Sequence, residues 1–494
     1  GVTGYSEMGT RYSISAGASA EWNLMIKNEG KYSVQLYHPV HSTDKEVEVK
    51  IEVIDSEGAS LNTKTVVWYG SDTPGWINLG SYELSAGQIT VRMAKTDRLG
   101  KNHALRADAV QLMESVEPVI TQMPRGTYYV DATGGDDTAS GTSPQQAWKT
   151  LAKINSCEFA PGSNILLKKG EEWIGKLSPK GSGTKDAPIL LGSYGQSDKR
   201  PVINGNGCDN GAVELYNQEY WEITGLEVTN AAARETLGNP DVADQTKNLA
   251  TRHGIYVLLE NFDTAGDNTA EHIYVKDCVV HNIVGSLAHP HKGVGIFFYV
   301  DNAADKSRFN DILIEGNRVY DTDRSGIIIR SQDTSNPDTT YNTNVVIQKN
   351  YLENIGGDGL VAKVCKAPLI QYNECNNACA RPTWGNSSNA AVWVWQCKDA
   401  VIQYNEVYKT GKKQGNGDGM AYDSDFNCEG TIIQYNYSHD NDGGFVLLIA
   451  PSINDFNKGT IVRYNISEND KRYIFEISGD VKGAKIYNNT IYQN

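Results

Sequence analysis

The chain has 494 residues, and 45 Lys and Arg against 60 Asp and Glu give it a formal net charge of −15. This acidic balance argues against nucleic acid as a partner. No stretch approaches the ~18 consecutive apolar residues of a membrane-spanning helix, so we expect no membrane span. The 48 glycines and the excess of Tyr (27) over Phe (9) are typical of turn-rich β structure and exclude an all-helical fold.

Residues 1–115 predict a small antiparallel β-sandwich, because short apolar and polar residues alternate between turns rich in Gly, Ser and Asp. A linker, residues 116–126, follows. The motifs W-I-N-L-G-S-Y at 76–82 and R-A-D-A-V at 106–110 resemble the accessory sandwiches of extracellular polysaccharide-degrading enzymes, which are carbohydrate-binding-module-like and golvesin-C-terminal-like. The resemblance implies an accessory domain.

Residues 127–494 repeat a short motif in which an Asn follows an apolar run, at intervals of 23 to 33 residues. A repeat made of strands alone predicts a right-handed parallel β-helix with three strands per coil. We expect each Asn to take a left-handed bend and to bond to the Asn of the next coil. The fold class is therefore all-β, a right-handed parallel β-helix with an N-terminal antiparallel β-sandwich. The repeat positions are Asn317, Asn350, Asn373, Asn405, Asn436, Asn465 and Asn488.

The start of this region predicts a cap for the β-helix. The stretch 128–144, a predicted helix over 147–155 and the stretch 161–170 resemble the N-terminal cap of the pectate-lyase-like superfamily of extracellular polysaccharide lyases and glycoside hydrolases. The resemblance implies a secreted, periplasmic or cell-surface protein. We expect no required cofactor and no dedicated metal site, although calcium on Asp136 and Asp137 is possible, with a solvated turn as the alternative.

Cys365, Cys397 and Cys428 each lie eight residues before a repeat Asn and should stack in consecutive coils. Side chains stacked in this way run parallel, which suits a disulfide badly. A ladder of packed thiols is the preferred interpretation, and a disulfide or a metal site stays open.

One strand of each coil predicts a glycan-binding groove. These strands begin at Gly326, Gly359, Ala391, Gly419 and Gly444, and alternation points their second and fourth following residues outward. Tryptophan faces can stack on pyranose rings, and the cations can bind hydroxyls, carboxylates or sulfates. Alternatively, loops over 231–252 or 331–344 cover the tryptophans. The fourth-position row reads Arg330, Lys363, Trp395, Asp423 and Leu448, beside Val361, Trp393 and Ala421.

Acidic residues follow in D-G-M-A-Y-D-S-D at 418–425. Asp423 and Asp425 should share one strand face ~7 Å apart, which suits the carboxyl pair of a glycoside hydrolase. His439 and Asp440 come one coil later, where His439 could tune an acid and Asp440 could contact substrate. Asp418 joins the candidate catalytic set, although a residue that precedes a glycine more simply caps a turn.

Three functions remain open from the sequence. The run from 418 to 445 resembles a block common in secreted bacterial β-helix proteins of carbohydrate degradation, which implies a glycan-active β-helix without specifying the bond cleaved. The pair Asp423 and Asp425 favours a glycoside hydrolase. A polysaccharide lyase that uses Lys363 and Arg330 on a uronic-acid polymer is the second hypothesis. A noncatalytic glycan-binding adhesin is the third. The expected partner is a polysaccharide or oligosaccharide, and we expect a monomer.

Overall fold

The computed structural model describes residues 11–494 except 16, 28, 40–46, 69–74, 97–103, 115–119, 232–250, 264–265, 286–291, 302–305, 333–339, 383–387 and 414–416. The chain divides into two compact units after Val119. This boundary falls inside the predicted linker, 116–126. Residues 121–123 of that linker form a strand of the second unit.

The first unit is the antiparallel β-sandwich that the alternation predicts. Its two main sheets, in the order β2-β7-β4-β5 and β6-β3-β9, share one core that includes Val34 and Leu36 from one sheet and Ile51 and Val91 from the other. A short pair, β1-β8, completes it. The strands are β1 (Arg11–Ser13), β2 (Ser19–Ile26), β3 (Gly30–His38), β4 (Val47–Ile54), β5 (Ser60–Trp68), β6 (Gly75–Leu84), β7 (Gly87–Lys95), β8 (Leu105–Ala107) and β9 (Val110–Glu114).

A short cap opens the second unit. It contains a 3-10 helix, Pro144–Gln146, and α1 (Leu151–Asn155), which is shorter than the predicted helix over 147–155. The carboxylate of Asp137 accepts hydrogen bonds from the N–H groups of Lys149 (2.8 Å) and Thr150 (3.0 Å), so it already has a structural role at the start of α1. The described residues hold no group of three or more His, Cys, Asp or Glu placed to bind a metal ion. No helix in the described ranges is long and apolar enough to cross a membrane.

Thirty-eight short strands follow the chain through the cap and the coils. They are β10 (Thr121–Met123), β11 (Thr127–Val130), β12 (Cys157–Phe159), β13 (Asn164–Lys168), β14 (Glu172–Ile174), β15 (Ile189–Tyr194), β16 (Val202–Asn204), β17 (Asn210–Tyr216), β18 (Trp221–Thr224), β19 (Glu227–Asn230), β20 (Arg252–Leu259), β21 (Thr269–Lys276), β22 (Val279–Ile283), β23 (Val294–Val300), β24 (Arg308–Glu315), β25 (Arg318–Thr322), β26 (Ser325–Ser331), β27 (Asn342–Gln348), β28 (Tyr351–Ile355), β29 (Leu360–Lys363), β30 (Cys365–Lys366), β31 (Leu369–Gln371), β32 (Glu374–Asn376), β33 (Val392–Trp395), β34 (Val401–Gln403), β35 (Glu406–Tyr408), β36 (Met420–Ser424), β37 (Cys428–Glu429), β38 (Ile432–Gln434), β39 (Tyr437–His439), β40 (Gly444–Ala450), β41 (Asn457–Lys458), β42 (Ile461–Arg463), β43 (Ile466–Glu468), β44 (Tyr473–Gly479), β45 (Val481–Lys482), β46 (Lys485–Tyr487) and β47 (Thr490–Tyr492).

Most of these strands form three long parallel sheets, and each coil contributes a strand to each sheet in turn. Sheet A has nine strands in the order β17-β20-β23-β26-β29-β33-β36-β40-β44. Sheet B has 13 strands, from β11 to β46, and sheet C has 11, from β14 to β47. One continuous apolar core fills the interior of the coils. The predicted fold class, an antiparallel β-sandwich followed in the chain by a parallel β-helix, is confirmed.

A ladder of buried asparagines links the coils where sheet B turns into sheet C, as the repeat predicts. The side-chain oxygen of Asn436 accepts from the N–H (2.9 Å) and the side-chain amide (3.0 Å) of Asn405. Two details of the prediction are wrong. The residue before each Asn takes the left-handed bend, as Tyr404 does with φ 55°, and the last rung is Asn489 instead of Asn488. The same bonds join Asn317, Asn350, Asn373, Asn405, Asn436 and Asn465 in succession.

The three predicted cysteine positions also stack. Cys365, Cys397 and Cys428 are buried free thiols, and the thiol of Cys428 accepts from the N–H of Cys397 at 3.5 Å. The packed-thiol interpretation therefore describes them, and they help to fill the core.

Replacing Asn405 with Leu should lower the free energy of unfolding by ~1 to 3 kcal/mol, because it removes the oxygen that accepts from the N–H and the side-chain amide of Asn373, and the amide that donates to the carbonyl of Ile370. Thermal or denaturant unfolding measures this. Lys366→Leu, at an exposed position of β30, is the control and should change stability little. Equal stabilities of Asn405→Leu and the parent would contradict a structural role for the ladder.

Candidate functional site

The outer face of sheet A carries a row of large polar and aromatic side chains. Tyr299 pairs with Arg330, and Lys363 pairs with Trp395. The pairing of Ile329 with Ala362 places Arg330 beside Lys363. Successive coils therefore bring two cations and a tryptophan into one row, in the order expected from their spacing.

The aspartates enter this face two residues later than the sequence predicts. Asp423 pairs with Trp393, whereas the N–H of Asp425 bonds to the carbonyl of Val394 at 2.9 Å, which puts Asp425 in the row of Trp395. Gly419 causes the shift, because it adopts a left-handed bend with φ 76° and does not begin the strand. Ala421 consequently belongs to the interior core, as does Leu448, so neither of these predicted outward residues faces out.

Much of this outer face is buried. Trp393 is only 7% exposed, and its indole N–H donates to Asp358 at 3.0 Å. The open stacking platform predicted for Trp393 is therefore wrong, while Trp395 is half-buried. The loops suggested as cover, 231–252 and 331–344, lie largely outside the described residues.

Asp423 is a buried carboxyl within β36. It is 3% exposed, and its Oδ1 has no hydrogen-bond partner among the described residues. Burial raises the pKa of Asp423 well above its usual range, and the negative charges of Asp425 and Asp418 raise it further. The side chain should therefore stay protonated at pH values where an ordinary aspartate is ionised.

Asp418 and Asp425 flank Asp423 and are both half-buried. Burial raises the pKa of Asp418 to about 6, with a further contribution from the charge of Glu476. Burial raises the pKa of Asp425 to about 7, although the N–H of Phe426 and the charge of Lys363 oppose the rise. Asp418 also raises the pKa of Asp425, so the two carboxyls sense each other. Carboxyls that titrate near neutrality and remain accessible are suited to proton transfer.

The two cations of the row contact no carboxylate among the described residues. The Lys363 ammonium lies 4.4 Å from the ring centre of Trp393 and 5.4 Å from that of Trp395. Burial and the charge of Arg330 lower the pKa of Lys363 to about 8. Arg330 donates to Gln332 at 2.7 Å, and burial lowers its pKa too.

His439 and Asp440 are not part of this cluster. His439 ends β39 in sheet C, where it stacks on Tyr408 with ring centres 4.7 Å apart. Its imidazole contacts Asp440 (3.0 Å) and Glu406 (3.3 Å). The prediction that His439 and Asp440 lie beside the aspartates is wrong, because the repeat puts them on the outer face of a different sheet.

Glu476 is a member of the cluster that the sequence reasoning missed. It pairs with Leu447 on the outer face of sheet A, and its charge raises the pKa of both Asp418 and Asp423. The strand Y-I-F-E-I-S has no glycine or alanine at its start, which hid its equivalence to the earlier strands. The sequence held one signal for Glu476. It lies seven residues after Asn469, which is close to the repeat residue Asn465.

Comparisons with known proteins agree with both units. Residues 3–114 match the family model of the Golvesin C-terminal domain, which confirms the resemblance of the first unit. A lacto-N-biosidase from Bifidobacterium longum subsp. longum is 29% identical over 481 residues, which cover 81% of this chain and 30% of that protein. This chain thus spans under a third of the length of that relative.

Solved structures also show similarity to lacto-N-biosidases. The native crystal structure of a GH136 lacto-N-biosidase from Eubacterium ramulus has a TM-score of 0.62 at 26% identity and covers 75% of this chain and 68% of its own. A selenomethionine derivative gives a TM-score of 0.60 at 25% identity, with the same coverage. An alpha-1,3-galactosidase A from Akkermansia muciniphila is 33% identical over 64 residues, 13% of this chain and 11% of its own. The predicted resemblance to carbohydrate-active β-helix enzymes is confirmed.

Asp423→Asn should make the protein more stable at mildly alkaline pH. Above the ordinary Asp pKa of 3.8 the unfolded chain releases this proton while the folded chain retains it, so the free energy of unfolding falls as pH rises. The Asn side chain of the variant does not ionise, so the variant does not lose this free energy of unfolding. Each unit of pKa shift corresponds to ~1.4 kcal/mol. Denaturant unfolding across pH should show the gain shrink as pH falls toward 3.8. Parallel pH curves for parent and variant would contradict a buried, protonated Asp423.

Proposed function

We propose that this protein is a glycoside hydrolase whose catalytic carboxyls are Asp418 and Asp425. The observation that carries the proposal is a set of three carboxyls in β36 and at its two ends, of which Asp418 and Asp425 are half-buried and have pKa values raised to about 6 and about 7. Glycoside hydrolysis requires one protonated and one ionised carboxyl beside the scissile bond. Between these two pKa values the site supplies both forms.

The chemistry follows from this pair. The protonated carboxyl donates its proton to the glycosidic oxygen as the bond to the anomeric carbon breaks. The ionised carboxyl either attacks the anomeric carbon or takes a proton from the water that does. Asp423 is buried, and its burial supports a role as a neutral, protonated carboxyl. In that form it adds no third negative charge to the site.

This choice departs from the pair Asp423 and Asp425 expected from strand alternation. Asp423 is 3% exposed between Trp393 and Leu447, so a substrate oxygen reaches it only if its neighbours move. Asp418 precedes the bend at Gly419 and is half-buried. Ser388 donates a hydrogen bond to Asp418, and this contact orients the carboxyl.

The similarity to lacto-N-biosidases supports a glycan substrate that carries a lacto-N-bioside, and p-nitrophenyl lacto-N-bioside is the first compound to test. We further propose that the protein acts outside the cytoplasm, where such glycans occur, as the resemblance of its first unit to accessory domains of extracellular enzymes suggests.

Asp418→Asn and Asp425→Asn should each lower turnover at least ~100-fold, the lower range for removal of a positioned acid or base. Asp423→Asn should retain most activity. The parent should show a bell-shaped pH profile with its optimum between about 6 and 7, because activity needs one carboxyl ionised and the other protonated. Release of p-nitrophenol or of reducing sugar measures the rate.

Asp480→Asn is the matched control, because Asp480 is an exposed acid paired with Lys482 away from this face. Loss of activity in Asp423→Asn but not in Asp418→Asn would restore the pair Asp423 and Asp425. Azide rescue of alanine variants assigns the roles, since azide replaces whichever carboxylate or activated water acts at the anomeric carbon. Products with a new conjugated double bond, together with loss of activity in Lys363→Ala alone, would replace hydrolysis by elimination.

A further inference from the structure

Arg330 and Lys363 form a pair of cations that contact no carboxylate in the part of the chain that the structure describes. They are neighbours in consecutive strands of sheet A, so their backbones lie ~4.8 Å apart. Arg330 donates one hydrogen bond, to the neutral amide of Gln332, and its buried Nε has no partner among the described residues. For Lys363 the described contacts are the two indole rings alone.

Such an arrangement is costly unless a ligand completes it. Partly buried cations normally pair with an acid, and adjacent like charges oppose each other. Here the repulsion is visible, because the charge of Arg330 helps to lower the pKa of Lys363. Asp358 and Asp425 act on Lys363 only through their field, since neither accepts a hydrogen bond from it. The donors of the ammonium therefore remain available.

The aromatic residues determine how those donors are presented. The rings of Trp393 and Trp395 hold the ammonium by cation–π contacts, and Trp393 is itself fixed by its bond to Asp358. The Arg330 guanidinium lies 6.0 Å from the ring centre of Tyr299. These contacts fix the cations in place without using their hydrogen-bonding capacity, which leaves them able to bind a carboxylate or sulfate.

We infer that Arg330 and Lys363 form a subsite for an acidic sugar, one that carries a carboxylate or a sulfate ester, within the glycan that the proposed site cleaves. This inference rests on the proposed function. Lys363 lies two coils from Asp425, and Arg330 three, which at ~4.8 Å per coil gives ~10 Å and ~14 Å. That spacing puts the acidic sugar beyond the residue at the scissile bond, where it avoids repulsion from Asp418 and Asp425.

Binding measurements on simple sugars test the subsite without requiring hydrolysis. Glucuronate and galactose 6-sulfate are titrated against the full chain by ligand-observed NMR, with glucose and galactose as neutral counterparts and inorganic sulfate as the ion control. The acidic sugars should bind about tenfold or more tightly than the neutral ones, and added salt should weaken them. Comparing the two acidic sugars shows whether the subsite takes a carboxylate or a sulfate.

Lys363→Met and Arg330→Gln should each remove most of that preference, while Lys366→Met, at an exposed position of β30, should keep it. Thermal unfolding checks that each variant folds, and Arg330→Gln suffices if Lys363→Met does not. Equal binding of acidic and neutral sugars would overturn the inference, as would binding of inorganic sulfate as tight as that of the sulfated sugar. Asp425→Asn should still bind the acidic sugars. If the acidic sugars bind while the parent protein hydrolyses no glycan, the proposed function fails and the subsite stands, whereas hydrolysis by the parent without acid preference removes only the subsite.

Discussion

Hydrogen bonding between successive coils decides where every functional side chain of the second unit lies. Parallel pairing sets equivalent residues ~4.8 Å apart, and a slip of one residue would turn an outward side chain into the core. The asparagine ladder fixes the bends, because each side-chain oxygen accepts two hydrogen bonds from the previous rung, as Asn436 does from Asn405. An irregular set of strands, many only three residues long, is thereby held in one register.

That register separates charges that would otherwise neutralise each other. The cations Arg330 and Lys363 occupy two neighbouring coils, and the acids Asp423 and Asp425 begin two coils after Lys363. The coil between them carries two tryptophans, whose rings contact the ammonium. A direct ion pair would keep Lys363 protonated and Asp425 ionised. Their separation leaves the pKa of Lys363 at about 8 and that of Asp425 at about 7, so both can change protonation near neutrality.

Much of the arrangement of the coils could be predicted from the local periodicity of the sequence. The recurring Asn predicts the coils and the ladder, and the spacing of the strands places Arg330, Lys363 and Trp395 in one row. It fails where chain length between repeats changes. Gly419 resembles the residue that begins a strand, but it forms a bend. The aspartates therefore lie two residues away from their predicted register. The prediction for His439 was wrong for another reason. Alternation distinguishes inward from outward side chains within a strand, but it does not identify which of the three sheets the strand joins.

Burial is the property that periodicity could not supply, and it separates the roles of the acids. Asp423 lies within β36 under neighbouring side chains, whereas Asp418 lies just before a bend that only glycine accommodates easily. The φ of Gly419 is 76°, and a Cβ there would lie 2.8 Å from the carbonyl oxygen of Gly411. The bend lets Asp418 leave the plane of the sheet while the field of Glu476 and partial burial still raise its pKa. A carboxyl just outside a strand therefore combines a shifted pKa with access to solvent, and on this face the positions that flank β36, more than those within it, are where proton transfer to a glycan is feasible.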